Sequence, residues 1–353
     1  MVDYIGVADI QRLLAYIGPG AFIERLAQQI EDDYRRWGEF EKSARLASHS
    51  AVGVIELMPT SDGQLYAFKY VNGHPRNTEA GLLTVTAFGV LADVATGYPL
   101  LLSELTLSTA LRTAAMSALA ARWMARPDSR VMALIGNGAQ SEFQALAFCH
   151  LLGIQALRLF DTDGAATAKL VQNLSRMDGM DGVRLHRCAS AVEACIGADI
   201  VTTVTADKRR ATVLMPDMVI AGMHLNAVGG DCPGKTELHA DILRRRDARV
   251  VVEFEPQSRI EGEVQQVAAD FPVTEFADVV RGQATGRAHA DEVTIFDSVG
   301  FALEDYSTLC LLHRMLREQP GLRRRIDLIP TLDDPKDLYG GTLRARPRLR
   351  RAA

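Results

Sequence analysis

From residue 131 to residue 297 the chain repeats one rhythm, a short apolar run followed by an amphipathic stretch, and few folds accept it. The runs 131–135, 156–160, 183–186, 199–204, 224–228, 249–254 and 293–297 have strand length and apolar content, and 141–152 and 165–174 have helical spacing. Strands alternating with helices indicate an α/β protein built on a doubly wound parallel sheet. The first third reads differently. Residues 20–37 place Phe22, Leu26 and Ile30 on one helical face. Runs 52–58, 65–71 and 82–92, punctuated by Asp-Gly, Asn-Gly and Pro, predict an antiparallel sheet. Residues 108–125 contain neither Gly nor Pro and predict a long helix, which Arg126-Pro127-Asp128-Ser129 ends. A last helix over 301–317 is expected to cross back to the first sheet.

The turn after the run 131–135 is Gly136-Asn137-Gly138-Ala139-Gln140-Ser141. A glycine turn between a strand and a helix leaves free N–H groups and the positive end of a helix dipole facing one point, where a pyrophosphate is held. Ser141 replaces the third glycine of the usual pattern and is small enough for close helix–strand packing. Asp161 ends the next run, where a carboxylate grips a ribose diol and repels a 2′-phosphate, so NAD is favoured over NADP.

A second glycine-rich stretch, Asn226 to Glu237, admits two readings. Gly229 to Thr236 spells GxxxxGK(S/T), the phosphate loop of nucleotide triphosphatases. The same stretch puts an acid, Asp231, in a turn after an apolar strand, as a catalytic base would sit. Several features weigh against the triphosphatase. The loop comes late in a sheet whose first turn already suits phosphate, Pro233 removes an N–H, and Asp231 brings negative charge towards the anion. On the second reading Gly229 and Gly230 turn the backbone tightly to present Asp231, and Gly234-Lys235-Thr236 starts a helix.

Composition excludes other classes. A net charge of -5 gives no footprint for nucleic acid, and the locally basic stretch 344–351 is expected to be solvated or packed on a partner subunit. The five cysteines form no CxxC pair and the eight histidines no ligand spacing, so no metal is expected and the thiols suit a reducing compartment. No apolar run approaches membrane-spanning length and no leader pattern opens the chain, so a cytoplasmic location is expected.

The segments 42–45, 55–59, 68–75, 111–115, 135–141, 226–235 and 297–301 together resemble the ornithine cyclodeaminase/μ-crystallin family along nearly the whole chain. The resemblance implies a homodimer, with a substrate-binding and dimerisation domain over 1–125 completed by 302–353, and a central NAD-binding Rossmann domain over 126–301. It implies redox-neutral conversion of L-ornithine to L-proline and ammonia, in which NAD takes a hydride from the α-carbon and returns it after ring closure. Arg45, Lys69 and Arg112 correspond to substrate-binding positions, and Arg112, near the start of its helix, has a fork suited to a carboxylate. Glu56 is a candidate partner for a substrate ammonium, its alternative being a solvated strand face. Asp231 is the candidate base that holds the δ-ammonium and accepts its proton, and Val299 is a further substrate contact. The cofactor positions implied are Thr84, Arg112, Gly136, Gly138, Ala139, Gln140, Asp161, Thr205, Leu225, Asn226, Ala227, Val228, Lys235 and Ser298. Lysine cyclodeaminases, cyclic-imine reductases and alanine dehydrogenases share this frame, as do non-catalytic binding proteins. The last are disfavoured by an acid beside a hydride acceptor.

Overall fold

The computed structural model describes residues 1–206, 212–319, 321 and 323–343. The basic stretch 344–351 lies outside them.

The N-terminal part forms β1 (Val2–Ile5), β2 (Leu46–His49), β3 (Val54–Ser61), β4 (Leu65–Gly73), β5 (Val85–Asp93) and β6 (Pro99–Glu104), with helices α1 (Val7–Ile17), α2 (Pro19–Arg35) and α3 (Thr106–Met124). Next come β7 (Val131–Ile135), α4 (Ser141–Leu152), β8 (Ala156–Phe160), α5 (Gly164–Leu174), β9 (Arg184–Arg187), α6 (Ala191–Cys195), β10 (Ile200–Thr203) and β11 (His224–Ala227). The series continues with α7 (Ala240–Leu243), β12 (Ala248–Val252), α8 (Glu255–Glu261), β13 (Thr274–Glu275), α9 (Phe276–Val280) and β14 (Val293–Asp297). Helix α10 (Ala302–Glu318) and strand β15 (Arg324–Ile326) follow.

The strands from β7 to β14 make one eight-stranded sheet in the order β13-β12-β14-β11-β10-β7-β8-β9. Every pairing in it is parallel. The chain winds outward from β7 through β8 to β9, then returns to place β10 on the other side of β7. The carboxyl ends of β7 and β10 therefore diverge, and open α/β sheets bind ligands in that crevice.

The other sheet runs β15-β1-β6-β5-β4-β3-β2. It is mixed rather than antiparallel throughout, because β1 pairs parallel with β6. Strand β15 then pairs antiparallel with β1 at its edge. Helix α3 is buried on nearly all sides, as its alanine- and leucine-rich sequence requires. It packs on α2 and α4 and reaches β5 in one sheet and β11 and β14 in the other. Helix α10 packs on α2 and against β3, β4 and β5.

The four-stranded region β2 to β5 departs from ordinary amphipathic strands on both faces. Glu56 and Lys69 are 5% and 1% exposed on its inner face, whereas Ile55, Leu57 and Phe88 are 41%, 42% and 43% exposed on its outer face. The two charges share the inner face with buried Val54, Met58, Ala67, Val71, Ala87 and Leu91, while the outer face also carries large apolar residues. Tyr70 and Phe88, opposite each other across β4 and β5, stack at 5.1 Å between ring centroids on that outer face.

Candidate active site

Lys69 of the first sheet and Arg112 of α3 meet carboxylates from α10. Lys69 Nζ lies 2.7 Å from Asp305 Oδ2. Arg112 pairs with Glu304 and, through Nε at 3.2 Å, with Asp305. Glu304 and Asp305 occupy the first turn of α10, where the helix dipole favours anions. Arg112 itself stands in the second turn of α3, beyond the reach of that helix's N-terminal dipole, which corrects the sequence expectation. Its charge is held instead by α10. Burial pulls the Lys69 ammonium down to about 8, with Arg112 adding to the fall and Asp305 opposing it. Burial also pushes the Glu304 carboxyl upward, against the pull of Arg112.

Beside this pair stands Arg45. Its Nη1 donates to Glu56 Oε2 at 3.0 Å and its Nη2 donates to the carbonyls of Val299 and Gly300, both at 2.7 Å. Its Nε faces Glu261 Oε2 at 3.0 Å. Glu56 is thus no solvated strand residue but one of two buried counterions of Arg45. The loop carrying Val299 and Gly300 is pinned from its other side by Glu253, which accepts from Ser298 Oγ (2.9 Å), Val299 N (2.9 Å) and Gly300 N (2.8 Å). Gly300 has φ +77°, and a Cβ built on it would lie 2.7 Å from Arg112 Nη1. That glycine is the spacer between the Arg45 and Arg112 guanidinium groups.

Asp231 follows β11 with its side chain 51% exposed and lies 3.1 Å from Lys235 Nζ. Lys235 also donates to the Thr205 carbonyl at 3.0 Å, so one buried ammonium joins the ends of β10 and β11. Gly229 and Gly230 play a different part from the one expected. Neither has a positive φ. A Cβ on Gly229 would lie 2.1 Å from Glu237 Oε1, and one on Gly230 would lie 2.8 Å from Glu263 Oε1. The glycines leave room for two carboxylates rather than making the turn. Residues 233–234 form that turn, and 234–236 begin no helix; the next one starts at Ala240. The N–H groups of a phosphate cradle are also spent within the protein: Gly229 N donates to Glu237 (2.9 Å) and Gly234 N to Gln265 (2.7 Å). The triphosphatase spelling has no free donors behind it at these two positions.

The glycine turn after β7 sits at the crevice. Gly136 has φ +97°, and a Cβ there would lie 2.7 Å from the Val204 carbonyl, so no other residue fits without strain. Asp161 Oδ2 accepts from Asn137 N at 2.6 Å and Oδ1 from Asp163 N at 2.8 Å, so the acid braces the turn. A carboxylate has about four acceptor sites, which leaves capacity for a ribose diol. Ser141 is buried and its hydroxyl donates to the Gly138 carbonyl at 2.6 Å. A Cβ on Gly138 would meet nothing within 4 Å, so the space above the turn is open. Gln140 Oε1, next along the turn, and Asn226 Oδ1, on β11, are buried without a hydrogen-bond partner. An open glycine turn and orphaned acceptors fit a dinucleotide. Thr205 is clamped by Glu237, which accepts from its N–H (2.7 Å) and hydroxyl (2.5 Å). Ala139 lies in the turn, while Leu225, Ala227 and Val228 run along β11 to its carboxyl end. Thr84 lies just before β5, its carbonyl accepting from His74 N at 2.8 Å.

Sequence reasoning missed Glu237, Glu253, Glu261, Glu304 and Asp305. Only the last pair carried a signal, two acids opening a helix. Among the described residues no group of three or more His, Cys, Asp or Glu is arranged to hold a metal ion.

Fold and turn together define a Rossmann-type α/β protein with a buried cluster of charges beside the loop that follows β14. The chain belongs to the ornithine cyclodeaminase/mu-crystallin family, which it matches over residues 10–319. It is 56% identical to an ornithine cyclodeaminase of Brucella melitensis over 344 residues, 98% of this chain and 94% of that one. A lysine cyclodeaminase solved for its recognition of L-lysine, L-ornithine and L-2,4-diaminobutyric acid superposes with TM-score 0.87 at 31% identity, covering 96% and 98% of the two chains. An archaeal alanine dehydrogenase dimer with bound NAD superposes with TM-score 0.83 at 27% identity, covering 93% and 99%.

Gly300→Ala would strain the backbone and push the Arg112 guanidinium aside. A loss of about 1–3 kcal/mol in unfolding free energy is expected in a denaturant titration. A midpoint equal to that of the parent would contradict the spacer role.

Proposed function

We propose that the chain catalyses the deaminating cyclisation of L-ornithine to L-proline and ammonia with NAD. The observation that carries this reading is a buried cation pair and a cluster of acids at the carboxyl end of the parallel sheet, in a chain more than half identical to ornithine cyclodeaminases along nearly its whole length. Gly136, Gly138, Ala139, Gln140 and Asp161, with Thr205, the Leu225–Val228 strand end, Ser298, Thr84 and Arg112, would hold the cofactor. Held there, NAD would supply a reversible acceptor for the hydride of the substrate α-carbon.

The protein supplies charge and position. Lys69 and Arg112 bind the α-carboxylate, with Arg45 and Val299 closing the pocket beside them. Glu56 and Asp231 receive the δ-ammonium. That ammonium has a reference pKa of about 10 and does not attack carbon until a base takes its proton. Asp231, half-exposed at the mouth and oriented by Lys235, accepts that proton and frees the nitrogen lone pair for ring closure. General-base help of this kind contributes roughly 10²–10⁴-fold.

Residues 126–301 act in this reading as the NAD-binding domain. Residues 1–125, completed by 302–353, act as the substrate and dimerisation domain, a division supported by α10 and β15 both joining the first sheet. The outward apolar face of β2 to β5, with Leu46 66% and Leu57 42% exposed, supports a homodimer, since monomers seldom leave such a face in water. None of the five cysteines forms a disulfide among the described residues, which supports a reducing, cytoplasmic compartment.

Asp231→Asn is expected to keep NAD affinity, measured by fluorescence titration, and to lower proline formation by at least 10²-fold. Turnover like that of the parent would remove Asp231 from the base role. Leu57→Asp is expected to shift the particle to monomer mass in light scattering, and an unchanged dimer would place the interface elsewhere.

A further inference from the structure

Strands β12 and β14 pair in parallel with Val252 opposite Asp297, which brings the first residue past each strand, Glu253 and Ser298, side by side. Glu253 is completely buried, and its two oxygens have different partners. Oε1 accepts from the Ser298 hydroxyl at 2.9 Å. Oε2 accepts from the N–H groups of Val299 at 2.9 Å and Gly300 at 2.8 Å. Burial pushes this carboxyl well above its ordinary value; Glu304 adds to the rise, and Ser298, Arg112 and Gly300 oppose it. Charge at this position is a burden, and what the fold uses is the placement of two acceptor oxygens.

The loop held in this way faces both halves of the site. Ser298 extends the sheet by donating its N–H to the Ala227 carbonyl at 2.8 Å, beside the end of β11 where the cofactor is proposed to lie. Val299 and Gly300 turn their N–H groups to Glu253 and offer their carbonyls to Arg45 Nη2, each at 2.7 Å. Gln257 Nε2 gives the Gly300 carbonyl a second donor at 2.9 Å. One carboxylate thus fixes a cofactor position with one oxygen and, with the other, the backbone that seats a substrate cation. A hydride passes only between atoms held close and aligned, and a misplacement of about 1 Å can cost roughly 10²-fold.

Resting on the cyclodeaminase reading above, we propose that Glu253 is a positioning residue, which sets the substrate α-carbon against the nicotinamide through the 298–300 loop. It acts through Ser298 and Arg45, by reach rather than by charge. Two substitutions separate those properties. In Glu253→Gln the amide oxygen keeps the Val299 and Gly300 N–H groups, and the amide nitrogen faces the Ser298 hydroxyl, which accepts as readily as it donates. All three hydrogen bonds survive without the charge. Glu253→Asp keeps the charge but is one methylene short of the same three donors.

Purified parent, Glu253→Gln and Glu253→Asp enzymes are assayed with NAD and L-ornithine, unlabelled and deuterated at the α-carbon, and NAD affinity is titrated by fluorescence. Glu253→Asp is expected to lower kcat tenfold or more and to show a primary deuterium isotope effect on kcat, with NAD affinity within threefold of the parent. Glu253→Gln is expected to keep kcat within threefold of the parent. A Glu253→Gln enzyme impaired as much as Glu253→Asp, or more, would make charge the property in use and overturn the proposal. A Glu253→Asp enzyme with the kcat of the parent would overturn it too, as would a slowed one without an isotope effect, since the damage would then lie in another step. If Glu253→Asp fails to fold, Glu253→Gln decides alone: parent-like kcat upholds the proposal and a tenfold loss overturns it. A parent that does not turn over ornithine at all would instead remove the cyclodeaminase reading, and this proposal with it.

Discussion

Two cations are buried side by side, Lys69 on the inner face of a β-sheet and Arg112 on helix α3, and the rest of the structure is arranged to make that tolerable. An uncompensated buried charge is among the most expensive things a fold can contain. Compensation comes from Glu304 and Asp305, residues from the far end of the chain, presented by a helix whose dipole favours acids at that point. The requirement ties α10 to the first sheet across the whole parallel domain.

A second set of carboxylates shapes the loops rather than the ligand. Glu253 holds the N–H groups of Val299 and Gly300, so that their carbonyls turn towards Arg45. Glu237 holds Thr205 and Gly229, and Glu263 holds the backbone of Glu237 and Leu238 in turn. Asp297 accepts from the N–H groups of Glu263 and Val264 (2.8 and 3.0 Å). Glu237 and Glu253 satisfy backbone donors just past the carboxyl ends of β10, β11 and β14, where the sheet ladder has run out, and Glu263 and Asp297 do the same for loop donors behind them. Gly229 and Gly230 give these side chains room. The result is a rigid rim around a pocket whose reacting groups need fixed positions.

Much of the architecture was legible. The parallel sheet, its glycine turn and the long helix α3 follow from periodicity and from the absence of Gly or Pro, because those signals are local. Strands β1, β2 and β15 were not legible. They are short, β2 is exposed along its whole length, and two of β15's three residues are arginines, so no alternation marks them. In the site, Asp231 was singled out by its place in a glycine-rich turn after an apolar strand, and the three cations only by the family resemblance. The acids that pair with them were not, because a buried glutamate and a solvated one look alike until long-range packing is known. Glu261 and Arg45 meet from distant parts of the chain. The same limit misled the reading of Gly229 and Gly230, whose purpose depends on what lies opposite them.

The central claim is that one pocket removes hydride from an amino acid and returns it to the cyclised product without releasing it. The direct measurement uses L-ornithine carrying deuterium at the α-carbon, with NAD at far below substrate concentration, and follows ammonia, NADH absorbance and deuterium in proline. The account predicts ammonia and proline in equal amounts, deuterium retained at the proline α-carbon and no net NADH. Accumulating NADH, or proline that has lost the label, would contradict it.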